Sequence, residues 1–556
     1  MSSASAKTTL RYPEKTMYQL VKDAADRLPH DAAYSFEGRK TTYEEMIKRI
    51  RAAAGGFTAL GIKKNDVVTL CMPNIPQAVD CLYALNFIGA AASFIHPLSA
   101  VREIEYFLKL SESAAIVVPD LFYENVMAAL KNISRQITVI VVRIQDELPI
   151  YLRGLYTIKK GRDYLRFPDS RGGILWSRFI RNGRKITNLP CTQYEKDRTA
   201  VILYSGGTTG VSKGICLTDL NLNALAMQAR QAMECKFSRG LKNLSAMPIF
   251  HGFGLGIGIH TVLVNNACCV LLAQFNTKNY INAMKRYKPN FIAGVPTIFK
   301  MLIESNELEN EDLSYLQGMF VGGDAMPSDL KAQVDEFLRK HNASIQVREG
   351  YGLTECVTAS CLTPKNTHRR GSIGLPFPDT LYKIVSLADG SEMPSGQDGE
   401  ICISGPTVMK EYLNNPDETD ITLRQHSDGR VWLHTGDLGH TDADGYIYFT
   451  QRIKRMIVTS GYNVYPSQVE RVIEEHPAVD YCCVTGIRDE YRIKKIKAFI
   501  VTNKNVSEDE SLKNDIISHC RKHIAAYAVP KEIEFRKELP KTLVGKVAYR
   551  ELEDEQ

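Results

Sequence analysis

An apolar run that empties into a glycine-rich loop limits this chain more than any other stretch. Residues 199–204, Thr-Ala-Val-Ile-Leu-Tyr, have the unbroken apolar pattern of a buried strand. Directly after it come Ser205, Gly206, Gly207, Thr208, Thr209, Gly210, Ser212, Lys213 and Gly214. Glycines let a backbone approach an anion closely, hydroxyls and amides donate to phosphate oxygens, and lysine adds a point charge. Most Gly/Ser/Thr clusters are ordinary surface turns. Four glycines, four hydroxyls and a lysine behind a strand favour a phosphate cradle instead. The order Lys213-Gly214-Ile215 excludes a Walker A loop, in which Ser or Thr follows the lysine. Alone, the loop does not say which phosphate it holds.

The rest of the chain reads as support for this loop. At 556 residues it is too long for one core. Met17, Leu20, Val21, Ala24 and Leu28 fall at helical spacing, and Thr42-Tyr-Glu-Glu45 is a capping box. Strand-like runs at 66–72, 92–97, 114–118 and 137–142 alternate with helical stretches, and Thr218 is placed to cap a helix through Met233. Further runs at 267–272, 291–295 and 318–321 continue the alternation that marks a layered α/β domain. From about Ile384 the pattern turns to short strands with Asp-Gly turns at Asp389, Asp398, Asp428 and Asp444. Asp442-Ala-Asp444-Gly445 lacks the later glutamate of a calcium loop and reads as a hairpin. The expected fold class is therefore α/β: a large domain, 1–452, of layered α/β subdomains with a small β-rich unit, then a small α+β domain, 453–556.

Charge is unevenly placed. The net value is +6, yet residues 151–185 hold ten arginines or lysines against two aspartates, a local +8 that leaves the remainder at −2. Leu155, Tyr156, Phe167, Trp176 and Phe179 are interleaved with those charges. Two readings stay open for the segment, peripheral contact with an anionic membrane surface and a solvated excursion. Nucleic acid is disfavoured, because no binding motif accompanies the patch. The start of the chain lacks a basic segment leading into a clean apolar run, and the thirteen cysteines form no C-x-x-C pair. A cytoplasmic location with reduced thiols is expected.

Four further clusters carry chemistry. His251-Gly252-Phe253 opens a glycine-spaced apolar stretch, although a lone histidine is more often structural. Glu349-Gly350-Tyr351-Gly352-Leu353-Thr354-Glu355 sets an aromatic ring, a hydroxyl and a carboxylate on a glycine-rich turn. Tyr351 suits stacking on a base, Thr354 a phosphate, and Glu355 a hard cation such as Mg²⁺. Thr435-Gly436-Asp437 with Arg452-Ile453-Lys454 offers a carboxylate for two ribose hydroxyls beside cations. Near the end, Gly545-Lys546 presents a lysine that would otherwise be an ordinary surface residue.

Taken in order, these signatures resemble the adenylate-forming superfamily of acyl-CoA synthetases, 4-coumarate–CoA ligases and firefly luciferase. The resemblance spans roughly residues 15–552 and departs at Ser212, where proline is usual, and at Gln451. It implies a carboxylic acid–CoA ligase that uses ATP, Mg²⁺ and coenzyme A. The acid is first converted to acyl-AMP with release of pyrophosphate, and the CoA thiol then displaces AMP. By resemblance the catalytic set is Lys546, His251, Thr354 and Glu355, with Glu355 also the metal ligand. Nucleotide binding falls to Ser205, Gly206, Gly207, Thr208, Thr209, Lys213, Gly323, Asp324, Ala325, Glu349, Gly350, Tyr351, Gly352, Thr354, Asp437 and Arg452. Lys454 is the implied hinge of a mobile C-terminal domain, and Ser460, Gly461 and Tyr462 meet CoA.

The implied acyl pocket lies at His251, Gly252, Phe253, Val295, Gly322 and Gly323, whose small residues leave room for a long or bulky acid. Medium- or long-chain fatty acids rank first and aryl-propenoic acids second. An acyl-AMP or carrier-loading ligase is a further alternative, and a catalytically silent scaffold is disfavoured by the presence of Glu355, Asp437 and Lys546.

Overall fold

Most of the apolar runs assemble into sheets within the first of two compact units, residues 1–381 with 403–433; the second comprises 382–402 with 434–556. The computed structural model describes residues 9–149, 152–153, 172–205, 212–235, 237–274, 276–365, 367, 369–459, 462–489, 493–504, 506–541 and 547–555.

One sheet of the first unit has eight strands among the described residues. Their order is Glu411–Tyr412, Gly214–Thr218, Thr199–Tyr204, Ala91–Phe94, Val67–Leu70, Ala115–Pro119, Thr138–Val142 and Ile174–Leu175. Pairing is parallel from Thr199–Tyr204 outward to Ile174–Leu175 and antiparallel on the other side. The second sheet runs from Arg39–Thr42 through Ala32–Phe36, Cys268–Leu271, Lys242–Ser245, Phe291–Gly294 and Gly318–Val321 to Val347–Tyr351. Its interior is parallel, and the register Gly294↔Val321↔Glu349 gathers the carboxyl ends of three strands. Open α/β sheets bind ligands at that end.

The helices start where the sequence says they should. Thr42 and Thr218 accept from the third helical N–H and complete capping boxes, and Thr16 does the same for the first helix. Helix Pro76–Ile88 begins with proline, ends at Gly89 with φ +83°, and is buried on every side, which is why its sequence shows no polar face. A buried pair fixes the frame: Asp219 meets Arg198 at 2.5 Å and also accepts from the Met17 N–H and the Asn86 amide. Removing either partner of such a pair costs about 3–5 kcal/mol.

Part of the basic segment belongs to the core. Helix Trp176–Gly183 packs on Tyr43–Ala59, with Phe179 edge-on to Phe57 at 4.9 Å and stacked on Trp176 at 5.1 Å. The helices touch so closely that a Cβ on Gly183 would lie 2.0 Å from the Ala52 carbonyl. Trp176 and Phe179 are therefore buried, not presented to a membrane, while Arg178, Arg181 and Arg184 are exposed. Residues 154–171 lie outside the described residues.

Strands Gly399–Ser404, Val431–Thr441 and Ile447–Arg452 lie side by side. Asp442 Oδ1 accepts the N–H groups of Asp444 and Tyr446, so this stretch is the expected hairpin turn. Asp398-Gly399 is not a turn: Gly399 begins a strand without the positive φ of a hairpin glycine, and Asp398 accepts from Thr450 Oγ1 at 3.1 Å. Beyond Arg452, strands Val479–Asp489, Ile493–Thr502 and Glu532–Phe535 form a small sheet with helices Pro466–Glu474 and Glu510–His523. Ile473, Val484, Ala498, Ile500 and Ile516 make its core.

Candidate active site

Strand Thr199–Tyr204 and its antiparallel neighbour Gly214–Thr218 fix the two ends of the glycine-rich loop. Ser205 N–H donates to the Lys213 carbonyl and Lys213 N–H to Ser205 Oγ, both at 3.1 Å. Tyr106 holds the Ser212 carbonyl at 2.8 Å, and Tyr204 anchors to Ser93 at 2.8 Å. Gly206, Gly207, Thr208 and Thr209 lie outside the described residues. The Lys213 ammonium pairs with Glu418 and sits 4.8 Å from the centre of the Tyr412 ring.

The same tyrosine reaches the acidic turn. Thr354, Glu355 and Cys356 form one helical turn after strand Val347–Tyr351, and Glu355 Oε1 accepts from the Tyr412 hydroxyl at 2.8 Å. Burial, and then the Glu355 carboxylate, hold the Tyr412 phenol well above its ordinary range, so it remains a donor. Val357 follows with φ +67° and ψ −57°, and the Thr358 N–H donates to the Cys356 carbonyl across it. A β-branched residue there is strained, the kind of local cost often met at functional sites.

That strained turn touches the histidine segment. A Cβ on Gly252 would fall 1.6 Å from the Val357 carbonyl, and one on Gly254 would fall 2.0 Å from that of Pro248. The first of these contacts seats Gly252 against the turn that follows Glu355. The apolar stretch after His251 is helical, though not an ordinary α-helix. It forms a nine-residue π-helix, Phe253–Thr261. Such wide helices are rare and frequent at functional sites. Side chains of Ser245 and Thr261 bond the Gly258 and Gly256 carbonyls at 2.7 Å. His260, at the far end, is fully buried between Tyr83 and Asn223, and burial takes its pKa down to about 3, so it is neutral.

Gly322, Gly323, Asp324 and Ala325 follow strand Gly318–Val321, and a Cβ on Gly322 would lie 2.9 Å from the Gly350 carbonyl. Val295 leaves the adjacent strand end, and Gly323 has φ +84°. Asp324 is exposed and accepts its neighbour's N–H from Ala325. Gly352 sits against the Thr358 carbonyl, while the Tyr351 carbonyl receives both the N–H and the hydroxyl of Ser360.

Glu349 stands apart in its ionisation: burial raises its pKa to about 7, partly offset by Lys331 and reinforced by Asp335. A raised folded-state value favours the protonated form, so the associated stability is complete below the unfolded-state value and lost as pH rises through about 7. A Glu349→Gln variant should therefore melt above the parent at pH 8, with the difference closing near pH 4. A pH-independent difference in melting temperature would refute this.

In the second unit, Asp437 and Arg452 are cross-strand partners with Oδ1 and Nε 3.3 Å apart, the carboxylate buried and the guanidinium exposed. Gly436, at φ +70°, turns the chain before Asp437. Its N–H is received by Glu400 Oε1 at 3.0 Å, and Glu400 Oε2 lies 2.7 Å from His434 Nδ1. Cys402 Sγ is 3.5 Å from the same nitrogen, so the three side chains form one hydrogen-bonded clasp around the turn. Lys454 is exposed on a single turn, Ile453–Arg455. Tyr462 starts the short strand Tyr462–Val464, while Ser460, Gly461 and Lys546 lie outside the described residues.

Two family models match the chain: the AMP-binding enzyme over residues 21–413 and the AMP-binding enzyme C-terminal domain over residues 468–546. The chain belongs to the AMP-binding enzyme family. Similar members include a long-chain-fatty-acid–CoA ligase from Bacillus subtilis, 32% identical over 98% of this chain and 96% of its own length. Another from Salmonella typhimurium is 32% identical over 97% and 94%. Among solved structures, an anthranilate CoA ligase in complex with anthranoyl-AMP has the same fold, with a TM-score of 0.82 at 24% identity over 98% of both chains. This AMP-binding enzyme is an AMP-forming acid–thiol ligase, with ATP and CoA among its substrates.

Two groups of residues in this AMP-binding enzyme escaped the sequence reading. Tyr412 and Glu418 bear on Lys213 from about 200 positions away, and Glu400 and His434 clasp the turn before Asp437. Each is an unremarkable polar residue in its local context, and only sheet pairing reveals it.

Proposed function

We propose that this enzyme activates a medium- or long-chain fatty acid as its acyl-AMP and transfers the acyl group to coenzyme A. The observation that carries the choice of acid is the full-length likeness to long-chain-fatty-acid–CoA ligases.

In the first step a carboxylate oxygen bonds the α-phosphorus and pyrophosphate leaves. Two anions must approach, so the residues present must supply positive charge and aimed donors. Lys213 and the Ser205–Thr209 loop hold the outgoing phosphates, Gly323–Ala325 and Tyr351 line the adenine, and Asp437 with Arg452 receives the ribose. Lys546 bridges carboxylate and α-phosphate. Glu355 fits Mg²⁺: it is a hard oxygen donor with one oxygen engaged by Tyr412 and lone pairs remaining. When bound there, the ion disperses charge on the departing pyrophosphate. In the second step the CoA sulfur attacks the acyl carbon and AMP leaves. The chain turns about Lys454, exchanging Lys546 for the 460–462 loop, and His251 stands where thiol and acyl group meet.

Pyrophosphate release across a panel of fatty and aryl acids tests the reading. Fatty acids of medium or long chain should give the highest kcat/KM, and preference for cinnamate-like acids would overturn it. A probable 4-coumarate–CoA ligase from Dictyostelium discoideum, 29% identical over 91% of this chain, makes that the sensible counter-panel. Accumulation of acyl-AMP with no AMP released on addition of CoA would instead indicate an acyl-AMP ligase.

No helix among the described residues is long and apolar enough to cross a membrane. With thirteen free cysteines, eleven of them buried, a cytoplasmic location with peripheral membrane contact through the basic segment suits the chain. Replacing the exposed Arg178, Arg181 and Arg184 by glutamine should reduce co-sedimentation with anionic liposomes. Unchanged binding, or none by the parent, would sink the membrane reading.

A further inference from the structure

We propose that Tyr412 is a positioning residue that couples the metal-binding carboxylate, Glu355, to the phosphate-binding lysine, Lys213. This rests on the roles given to those two residues under the proposed function.

Four main-chain contacts seat Tyr412. Strand Glu411–Tyr412 pairs antiparallel with Gly214–Thr218, and the register Tyr412↔Ile215 sets the tyrosine beside the end of the phosphate loop. The Leu413 N–H donates to the Gly214 carbonyl at 2.7 Å, which locks that register just past Lys213. The Met409 N–H donates to the Glu355 carbonyl at 2.7 Å, so the same short segment also grips the backbone of the acidic turn. Finally the Tyr412 N–H donates to Thr419 Oγ1, whose hydroxyl donates to the Asn415 carbonyl.

From this seat one side chain serves both functional groups. Its hydroxyl takes Glu355 Oε1 at 2.8 Å, which selects one carboxylate orientation and leaves the second oxygen for a cation. Its ring lies 4.8 Å from the Lys213 ammonium, whose charge is shared between the aromatic ring and Glu418. An arriving phosphate therefore competes with Glu418 for the lysine, while the ring keeps the lysine from leaving with either. The alternative is that Tyr412, only 5% exposed, is a core residue and nothing more.

The two roles separate by substitution in the full-length protein. Tyr412→Phe keeps the ring and removes the donor. The MgCl₂ concentration for half-maximal ATP binding, read by calorimetry, should rise about tenfold, the scale of losses when a ligand's supporting hydrogen bond is removed. AMP affinity should be unchanged, because AMP carries neither of the outer phosphates. Tyr412→Leu should in addition weaken Mg²⁺-free ATP binding about two- to fivefold, again sparing AMP. In a Glu355→Gln background, Tyr412→Phe should have no further effect on the Mg²⁺ dependence.

Unchanged Mg²⁺ dependence in Tyr412→Phe overturns the coupling while leaving the nucleotide site intact. Equal loss of ATP and AMP binding in Tyr412→Leu marks a merely structural residue and overturns it too. Failure of the parent protein to bind ATP at all would bring down the proposed function together with this inference.

Discussion

Glu355→Gln should lower acid-dependent pyrophosphate release by about 10²–10³-fold, the loss expected when a group stabilising developing charge is removed. The substitution preserves shape, and a glutamine oxygen still accepts from the Tyr412 hydroxyl. The turn that carries residue 355 is held by backbone bonds on both sides, from Met409 to the Glu355 carbonyl and from Val357 to the Thr354 carbonyl. The fold should therefore survive, with a melting temperature close to that of the parent. What is lost is the negative charge that an oxygen-seeking cation requires. Thioester formation from supplied acyl-AMP and CoA should be largely spared, because no pyrophosphate departs in that step. Equal loss in both half-reactions, or a drop in melting temperature that tracks the drop in rate, would remove Glu355 from its assigned role.

Lys546→Ala is expected to have an effect of similar size with a different signature. Adenylation brings two anions together, and the lysine is the group assigned to lie between them. Its loss should cost about 10²–10³-fold in acyl-AMP formation. In the proposed scheme the second half-reaction begins from a mixed anhydride and a thiol, after the lysine has left the site, so it should proceed at near-parental rate. Rapid-quench assays with acyl-AMP as the starting material read this directly. A matching loss in thioester formation would contradict the two-conformation scheme about Lys454.

Local signals carried the architecture because capping and burial are local. Thr42 and Thr218 cap their helices as the spacing required, and strand 318–321 coincides with its apolar run. Candidate site residues could be named where they fall in one continuous stretch, as at 349–355 and 435–437. Their neighbours were illegible where contact depends on strand pairing. Tyr412 meets Lys213 only because a two-residue strand lands on Gly214–Thr218, and no periodicity in 411–415 announces that. The rings of Trp176 and Phe179 read as surface-seeking because arginines surround them. Helical geometry puts those arginines on one side and the rings on the other, against Phe57. Asp398-Gly399 imitated a turn signal, yet that glycine serves a close strand approach, with a Cβ lying 2.5 Å from the Val385 carbonyl.

The wide helix after His251, part of the proposed acyl pocket, also bears on how the enzyme can drift toward new acids. Substitution at Gly252 or Gly254 would drive a methyl group into main-chain oxygen, and main chain cannot rotate aside. Gly256 is crowded by the Leu225 side chain at 2.6 Å and by Val357 at 3.0 Å. Gly258 differs: an added Cβ would find its nearest neighbour at 3.7 Å, ordinary contact. Mutational drift along this wall is thus channelled to the side chains of Phe253 and Ile257 and to the one glycine with space to spare. A library randomised across the helix should yield its folded members at those positions, with 252 and 254 returning almost solely glycine.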